Sequence, residues 1–297
     1  MCYLFGAAYN FHRQTRESLE SQNRELQQAV ESEIAGREQQ EQDLERAREI
    51  QRALLPKEIA QVAGFEGVAA WEPARLVGGD YYDVIRLSDT KVGICIADVV
   101  GKGVSAALLM ANVQATVRAY ASKFASSSWL CGKVNGVLCS SLASDKFVTL
   151  FYGILDAQQP TLQYTNAGHL SPVVVRAGGE AEQLSDGGAV LGVFPNWKYE
   201  DGLARLNPGD RLFLFTDGIT EATRSDGQEF GEADLLGAAR ARRDLSPSDL
   251  KAHLLDCVNQ FCNSQLHDDA TLMVIAALNS SESADNSAVE CFGIRVS

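Results

Sequence analysis

Positive charge is scarce in this sequence. Its 297 residues include 26 Lys and Arg against 39 Asp and Glu, which gives a formal net charge of −13. Nucleic-acid backbones and anionic lipid surfaces attract Lys and Arg, so this balance excludes nonspecific binding to either. A phosphorylated substrate would therefore need help from bound cations.

Metal-type cysteine spacing and long apolar runs are also missing. The seven cysteines are odd in number and none forms a C-x-x-C pair, which predicts free thiols in a reducing cytosol rather than a zinc site. The apolar opening, residues 1–12, is far shorter than the roughly 20 residues that span a bilayer, and it lacks a basic region before it. We expect a cytoplasmic protein without a membrane span, although the opening is also compatible with the end of a longer sensor protein.

Residues 13–55 are polar and free of proline, and the proline at position 56 closes the segment. This composition predicts one long helix with an interrupted heptad seam. Two interpretations stay open: a solvated helix that lies on the domain, or a coiled-coil linker that makes the protein a homodimer. The seam contains the apolar Leu19, Leu26, Val30, Leu44, Ala47 and Leu54 and the polar Asn23, Glu33, Arg37, Gln40 and Gln51.

Residues 56–278 form the predicted globular domain, in which short apolar runs alternate with Gly, Asp, Asn and Pro. Most neighbouring runs are too close for crossover helices, so we expect largely antiparallel sheets covered by helices. The Ser-rich residues 279–297 predict a flexible tail. Strands are expected at residues 67–74, 79–87, 91–98, 146–156, 161–168, 171–177, 210–217 and 270–278, and helices at 104–124, 129–143, 231–242 and 246–263.

Aspartates stand at the ends of four of these apolar runs, each beside Gly or a second acid. One such residue is an ordinary turn residue, but four indicate convergence at one edge of the fold. Carboxylates brought together repel unless cations neutralise them, and carboxylate oxygens without His or Cys partners select Mg²⁺ or Mn²⁺. Two such ions would polarise a water for attack on a phosphoryl group. The aspartates are Asp80, Asp98, Asp217 and Asp268 with Asp269.

Six motifs give the sequence a specific resemblance. They are, in order, AREIQRALLP, PARLVGGDYYDV, IADVVGKGVSAALLMA, TNAGHLSP, LNPGDRLFLFTDGITEATRSDGQEFG and DDATLMVI. This series resembles the bacterial branch of the metal-dependent protein phosphatases (PPM, protein phosphatase 2C-like), the type of sporulation stage II protein E and the sigma-B regulator phosphatase. The resemblance implies an α+β fold, an α-β-β-α four-layer sandwich behind a helical linker, with two Mn²⁺ or Mg²⁺ ions at one edge.

The resemblance also implies roles for individual residues. Asp98 would bridge the two ions that activate water, and the backbone carbonyl of Val99 would also coordinate. Asp269 either ligates an ion or orients its neighbour. The full set of metal ligands implied by the motifs is Asp80, Asp98, Val99, Asp217, Asp268 and Asp269.

Three further residues are weaker candidates. Arg75 lies five residues before Asp80, the spacing at which eukaryotic relatives place a phosphate-binding arginine, so it is either a phosphate contact or an ordinary surface residue. His169 and His267 are alternatives for a general acid. The motif around His169 is interpreted better as a turn between strands.

The leading interpretation is a phosphoserine/phosphothreonine protein phosphatase in which metal-activated water attacks phosphorus directly. By resemblance, its substrate is a phosphorylated anti-anti-sigma factor, a small STAS-domain protein, and an upstream sensor acts on it through the linker. Two alternatives stay open. One is a catalytically weak or inactive scaffold of the same fold that acts through dimerisation of the N-terminal helix, and the other is a hydrolase of a small phosphoester.

Overall fold

The structure is a computed structural model of the chain, and it describes residues 2–123, 126–141 and 146–278. The predicted flexible tail, residues 279–297, lies outside the described residues. The chain divides into two compact units, Met1–Glu49 and Ile50–Ser297. This division lies a few residues before the domain boundary that the proline at position 56 had suggested.

The first unit is helical. Helix α1 extends over Cys2–Leu54 without interruption, so the apolar opening is helical from its second residue and not only from residue 13. Leu19, Leu26 and Val30 of the predicted seam are exposed, and so is Ile34. A coiled coil requires a second helix, and the homodimer therefore stays a prediction.

The second unit contains two sheets and the remaining helices of the described chain. Strands β1 to β6 are Phe65–Glu72, Tyr81–Arg86, Lys91–Val99, Val148–Asp156, Thr161–Ala167 and Val173–Val175. Strands β7 to β11 are Ala181–Gln183, Gly187–Gly188, Gly202–Arg205, Arg211–Phe215 and Ala270–Ala277. Helices α2 to α6 are Val104–Ala121, Ser127–Ser141, Asp217–Thr220, Gly231–Ala241 and Pro247–Phe261.

These elements form four layers. One sheet has the order β1-β11-β10-β6-β7, and the other has the order β2-β3-β4-β5-β8 with β9 paired to β5. Every pairing is antiparallel except that of β5 with β8. Helices α5 and α6 pack on the first sheet, and α2 and α3 pack on the second. The expected α-β-β-α sandwich is confirmed.

Strand β10 shows why its sequence is a continuous apolar run. Successive side chains of a strand point to opposite faces. Leu212 and Leu214 belong to the core that includes the space between the sheets, whereas Phe213 and Phe215 belong to the core under α5 and α6. Since both faces are covered, the four buried positions that follow Arg211 in this strand all carry apolar side chains.

The eight expected strands are found as β1 to β6, β10 and β11. Strands β7, β8 and β9 and the single-turn helix α4 were not predicted. The first two of these strands have two or three residues with no buried side chain, so they carry no apolar pattern.

Among the described helices, none contains an apolar stretch of the kind that spans a bilayer. The cysteines whose side chains are described are all free thiols, namely Cys95, Cys131, Cys139, Cys257 and Cys262.

Candidate metal centre

Asp98 is the last but one residue of β3, where this strand reaches the edge of the sandwich. Its side chain is half-buried. Burial, and then the charges of neighbouring aspartates, raise the pKa of Asp98 to about 7. Those neighbours are Asp217, Asp268 and Asp269. The structure therefore brings together carboxylates that the sequence places up to 171 residues apart.

Asp217 reaches the same edge from the other sheet. It follows β10 and begins the short helix α4, whose N-cap is Thr216. Burial first, and then the charge of Asp268, raise the pKa of Asp217 above its ordinary value. The strand that ends here thus delivers an acid to the edge, as the sequence predicted.

Asp80 lies immediately before β2 and is 1% exposed. Its Oδ2 accepts hydrogen bonds from the hydroxyls of Thr216, at 2.7 Å, and Thr271, at 2.6 Å. Burial first, and then the charge of Asp98, hold the pKa of Asp80 well above its ordinary value. Neither threonine was predicted as a functional residue, because Thr is an ordinary strand residue. A hydroxyl directly before or close after a candidate acid is the only signal that the sequence offered.

Asp268 and Asp269 have different surroundings. Asp269 is buried, and its two carboxylate oxygens accept the backbone N–H groups of Ala74, at 2.9 Å, and Gly79, at 2.6 Å. Asp268 is more exposed, and its Oδ2 lies 2.6 Å from Nζ of Lys102. Asp269 therefore holds the loop before Asp80 in place, while Asp268 presents its carboxylate to the cluster.

Two glycines permit the close approach of these strand ends. A Cβ on Gly79 would lie 2.9 Å from the carbonyl oxygen of Val99, the carbonyl that the resemblance implies as a ligand. A Cβ on Gly218 would collide with the carbonyl oxygen of Asp269. A larger residue at either position would force the acids of the two sheets apart.

Within the described ranges, no three His, Cys, Asp or Glu side chains form a ready-made group for a metal ion. Asp80, Asp268 and Asp269 have protein partners, as given above. The donor chemistry nevertheless fits a hard divalent cation, since the cluster offers carboxylate oxygens and no His or Cys side chain was implicated. Burial, together with the charges of three neighbouring aspartates, raises the pKa of Asp98, so a bound cation would stabilise its ionised form.

The weaker candidates lie around this cluster. Arg75 is exposed, and no hydrogen bond or ion pair of its side chain is found within the described ranges. The side chain of His267 is exposed, and its carbonyl oxygen accepts a hydrogen bond from Lys102. His169 is buried, with Nδ1 2.9 Å from the hydroxyl of Thr149, and burial lowers the pKa of His169 to about 4. A neutral, buried imidazole is a structural residue rather than an accessible acid.

Gln51, a polar interruption of the heptad seam, is buried against the loop before Asp80. Its Nε2 donates to the carbonyl of Gly78 at 2.6 Å, and its Oε1 accepts the N–H of the same residue at 3.0 Å. Spacing along the chain gives no signal for such a long-range pair. The last turn of α1, within the second unit, thus fastens a loop of the candidate site.

The fold and the acidic cluster define a phosphatase domain of the protein phosphatase 2C type. A model of the family described as Stage II sporulation protein E (SpoIIE) matches residues 88–277, well over half of the chain. The chain belongs to this family, which confirms the resemblance seen in the motifs.

Two known proteins are similar in sequence. Protein IcfG of Synechocystis sp. is 27% identical over 261 residues, which are 78% of this chain and 41% of IcfG. The phosphoserine phosphatase RsbU of Bacillus subtilis is 27% identical over 272 residues, which are 91% of this chain and 75% of RsbU. The chain therefore spans less than half of IcfG but most of RsbU.

Two solved structures share the fold. The SiaA-PP2C domain of Pseudomonas aeruginosa has a TM-score of 0.70 at 22% identity, and the match covers 82% of this chain and 98% of that domain. RsbX in complex with magnesium has a TM-score of 0.55 at 16% identity, and the match covers 73% of this chain and 98% of RsbX. Phosphatases of this fold are metal-dependent, in line with the carboxylate cluster.

Proposed function

We propose that this protein hydrolyses phosphoserine or phosphothreonine on a regulatory protein, with two Mn²⁺ or Mg²⁺ ions held by the acidic cluster. The observation that carries the proposal is the convergence of strand-end carboxylates from both sheets. Burial first, and then the charges of Asp217, Asp268 and Asp269, raise the pKa of Asp98 to about 7. Ionised carboxylates buried side by side destabilise a fold unless cations compensate their charge.

The residues of this chain have distinct parts in the proposed site. Asp98, Asp217 and Asp268 would hold the ions, together with Asp80 and the carbonyl of Val99. Two bound divalent ions supply a water of lowered pKa and a clamp for the phosphoryl group.

Three other residues hold this set in position. Thr216 and Thr271 fix one oxygen of Asp80, and this restricts the rotation of that carboxylate. Asp269 fixes the loop that precedes Asp80 through two backbone amides. We assign Asp269 the orienting role and not that of a ligand, because it is buried and its two oxygens accept the backbone N–H groups of Ala74 and Gly79 in the loop before Asp80, whereas Asp268 is more exposed.

The substrate and the partner are finer proposals. RsbU is named a phosphoserine phosphatase, which supports a phosphorylated serine as the reacting group. We propose a phosphorylated STAS-domain anti-anti-sigma protein as the substrate, and a homodimer formed through α1. The exposed Leu19, Leu26 and Val30 support the homodimer, since an apolar seam on a solvated helix is a surface for another helix.

The test is Mn²⁺-dependent hydrolysis of p-nitrophenyl phosphate and of a phosphorylated STAS-domain protein. We expect Asp98→Asn to lower turnover by more than about a hundredfold, the upper end of what loss of an outer-shell partner costs. Asp156→Asn is the matched control, because Asp156 also ends a strand but pairs with Lys91. Its turnover should stay within about threefold of the wild type, a range of less than 1 kcal/mol.

Equal inactivity of the wild type and Asp98→Asn on both substrates would instead support the scaffold interpretation. Activity on small phosphoesters alone would support a metabolite hydrolase.

A further inference from the structure

Lys102 is a cation at the edge of the acidic cluster, and none of the motifs assigned it a role. Its Nζ lies 2.6 Å from Oδ2 of Asp268 and 2.8 Å from the carbonyl oxygen of His267. Its positive charge also counteracts the rise in the pKa of Asp217. The side chain is 43% exposed, so it faces both the cluster and the solvent from which a substrate arrives.

The position of Lys102 in the chain keeps it beside the site. It lies in the short turn that joins β3 to α2, four residues after Asp98. A second lysine approaches the same turn, since a Cβ on Gly101 would lie 3.4 Å from Nζ of Lys146. Two lysines thus lie close together beside the acidic cluster, in a chain whose net charge is −13.

Two cations, the ammonium group of Lys102 and a divalent metal ion, would compete for one oxygen of Asp268. In this structure Oδ2 holds the ammonium group of Lys102. A divalent ion that takes this carboxylate would compete with the ammonium, because one oxygen at 2.6 Å from a lysine nitrogen leaves little room for both. The displaced lysine stays at the site on its flexible four-carbon stem, and an anion bound there is its natural partner.

We propose that Lys102 is a phosphate-binding residue of this site. Lys102 forms an ion pair with Asp268 until a divalent ion binds that carboxylate, and Lys102 then pairs with the phosphoryl group of the substrate. The proposal rests on the proposed phosphatase function. It assigns the phosphate contact to the turn after β3 instead of to Arg75, whose exposed side chain lies on the loop before Asp80.

Metal binding is the first readout, and it requires no turnover. Mn²⁺ is titrated into the full chain by calorimetry, for the wild type, Lys102→Met and Lys102→Arg. We expect Lys102→Met to bind Mn²⁺ about tenfold more tightly, because the competing cation is gone, and Lys102→Arg to stay close to the wild type. Lys91→Met is the matched control, since Lys91 pairs with Asp156 at 3.0 Å at the opposite end of β3 and should not change Mn²⁺ affinity.

Phosphate binding is the second readout. Inorganic phosphate is titrated into the Mn²⁺-saturated protein and is also used as a competitive inhibitor. We expect Lys102→Met to bind phosphate about tenfold more weakly and to raise KM more than it lowers kcat. Lys102→Arg should retain phosphate affinity within about threefold, because Arg also pairs with phosphate. Arg75→Met should change the phosphate affinity less than Lys102→Met does.

Two results would overturn the proposal. One is wild-type phosphate affinity in Lys102→Met, whether or not that variant binds Mn²⁺ more tightly, and the other is a loss of phosphate affinity confined to Arg75→Met. A wild type that binds Mn²⁺ but neither binds phosphate nor hydrolyses phosphoesters is a different failure, that of the phosphatase function itself. Circular dichroism of each variant checks that the fold is intact, as expected for a side chain this exposed.

Discussion

The hydroxyl of Thr216, after β10 of one sheet, lies 2.7 Å from Oδ2 of Asp80, which precedes β2 of the other sheet. Thr271 of β11 approaches the same oxygen at 2.6 Å, and its N–H donates to the hydroxyl oxygen of Thr216 at 2.9 Å. A buried carboxylate is thereby held by two hydroxyl donors. The two sheets are joined at this point by hydrogen bonds rather than by apolar packing.

Thr271→Val tests this contact, since Val has the shape of Thr without the donor. We expect about tenfold weaker Mn²⁺ binding, because an outer-shell partner of the proposed ligand Asp80 is lost. We also expect a loss of about 1 kcal/mol in the free energy of unfolding. Calorimetry and urea unfolding measure the two effects. Thr161→Val, at the start of β5, is the control, and an equal effect there would contradict the assigned role.

The raised pKa of Asp98 predicts how the stability of the metal-free protein depends on pH. Burial and neighbouring aspartates raise the pKa of Asp98 to about 7, above the roughly 3.9 of an unfolded chain. The folded state therefore holds this proton more tightly, and the stability from it is lost as pH rises from about 4 through 7. Asp98→Asn removes the effect. In EDTA, the Tm of the variant minus that of the wild type should grow from pH 5 to 8.

His169 acts in the opposite direction over part of this range. Burial lowers the pKa of His169 from 6.5 to about 4, so its stabilising contribution is lost as pH falls through that interval. The wild type and Asp98→Asn both contain His169. The contribution of His169 to stability therefore cancels in the Tm difference between them. A Tm difference that does not change with pH would contradict the prediction for Asp98.

The ion pair of Asp83 with Arg118, away from the acidic cluster, predicts a large change in stability when it is broken. Asp83 is fully buried on β2, and Arg118 of α2 donates to both of its oxygens, at 2.7 and 3.0 Å. Breaking a buried pair costs about 3–5 kcal/mol, and we expect the lower end for Arg118→Met because this arginine is half exposed. Urea unfolding measures it. Asp83→Asn with Arg118→Met should recover part of the loss, whereas Arg86→Met on the same strand should cost little.

Two truncations distinguish the role of α1 before residue 50 from the role of its last turn. We expect residues 50–297 to fold, because Ile50–Ser297 is a compact unit, and to lose the proposed dimer. Residues 56–297 also lack the buried Gln51 and Leu55, and should be less stable by a few kcal/mol. Light scattering and thermal melting compare the two. A dimer that persists in residues 50–297, or equal melting of both truncations, would contradict this division of roles.

The strands that build the sheets were predictable because each is a short apolar run bounded by turn residues. The same rule could not find β7, whose three residues are exposed, or β8, which is two glycines. Their pairing depends on neighbouring strands and not on their own composition. The start of α1 was missed for a different reason, since an apolar opening has no polar periodicity to mark a helix.

The acids of the candidate site were predictable as residue types at strand ends, whereas their hydrogen-bond partners were not. Asp268 and Asp269 are adjacent and chemically identical, and only the fold shows that Asp269 is occupied by backbone amides. The pairing of Lys102 with Asp268 joins residues 166 positions apart and leaves no trace in local spacing. Local patterns indicate which side chains carry chemistry, but their partners are decided by tertiary contacts.

The loop before Asp80 has an unusual consequence for hydrogen exchange. It has no regular secondary structure, yet its backbone amides are held by two side chains that are distant in the sequence. The N–H of Gly78 donates to Gln51, and those of Ala74 and Gly79 donate to Asp269. These amides should exchange slowly, unlike those of an ordinary loop. The amide proton of Gly78 would exchange faster if the hydrogen bond to Gln51 broke, while those of Ala74 and Gly79 would stay protected by Asp269. The exchange rate of the Gly78 amide would thus report, in solution, whether the last turn of α1 packs against this loop.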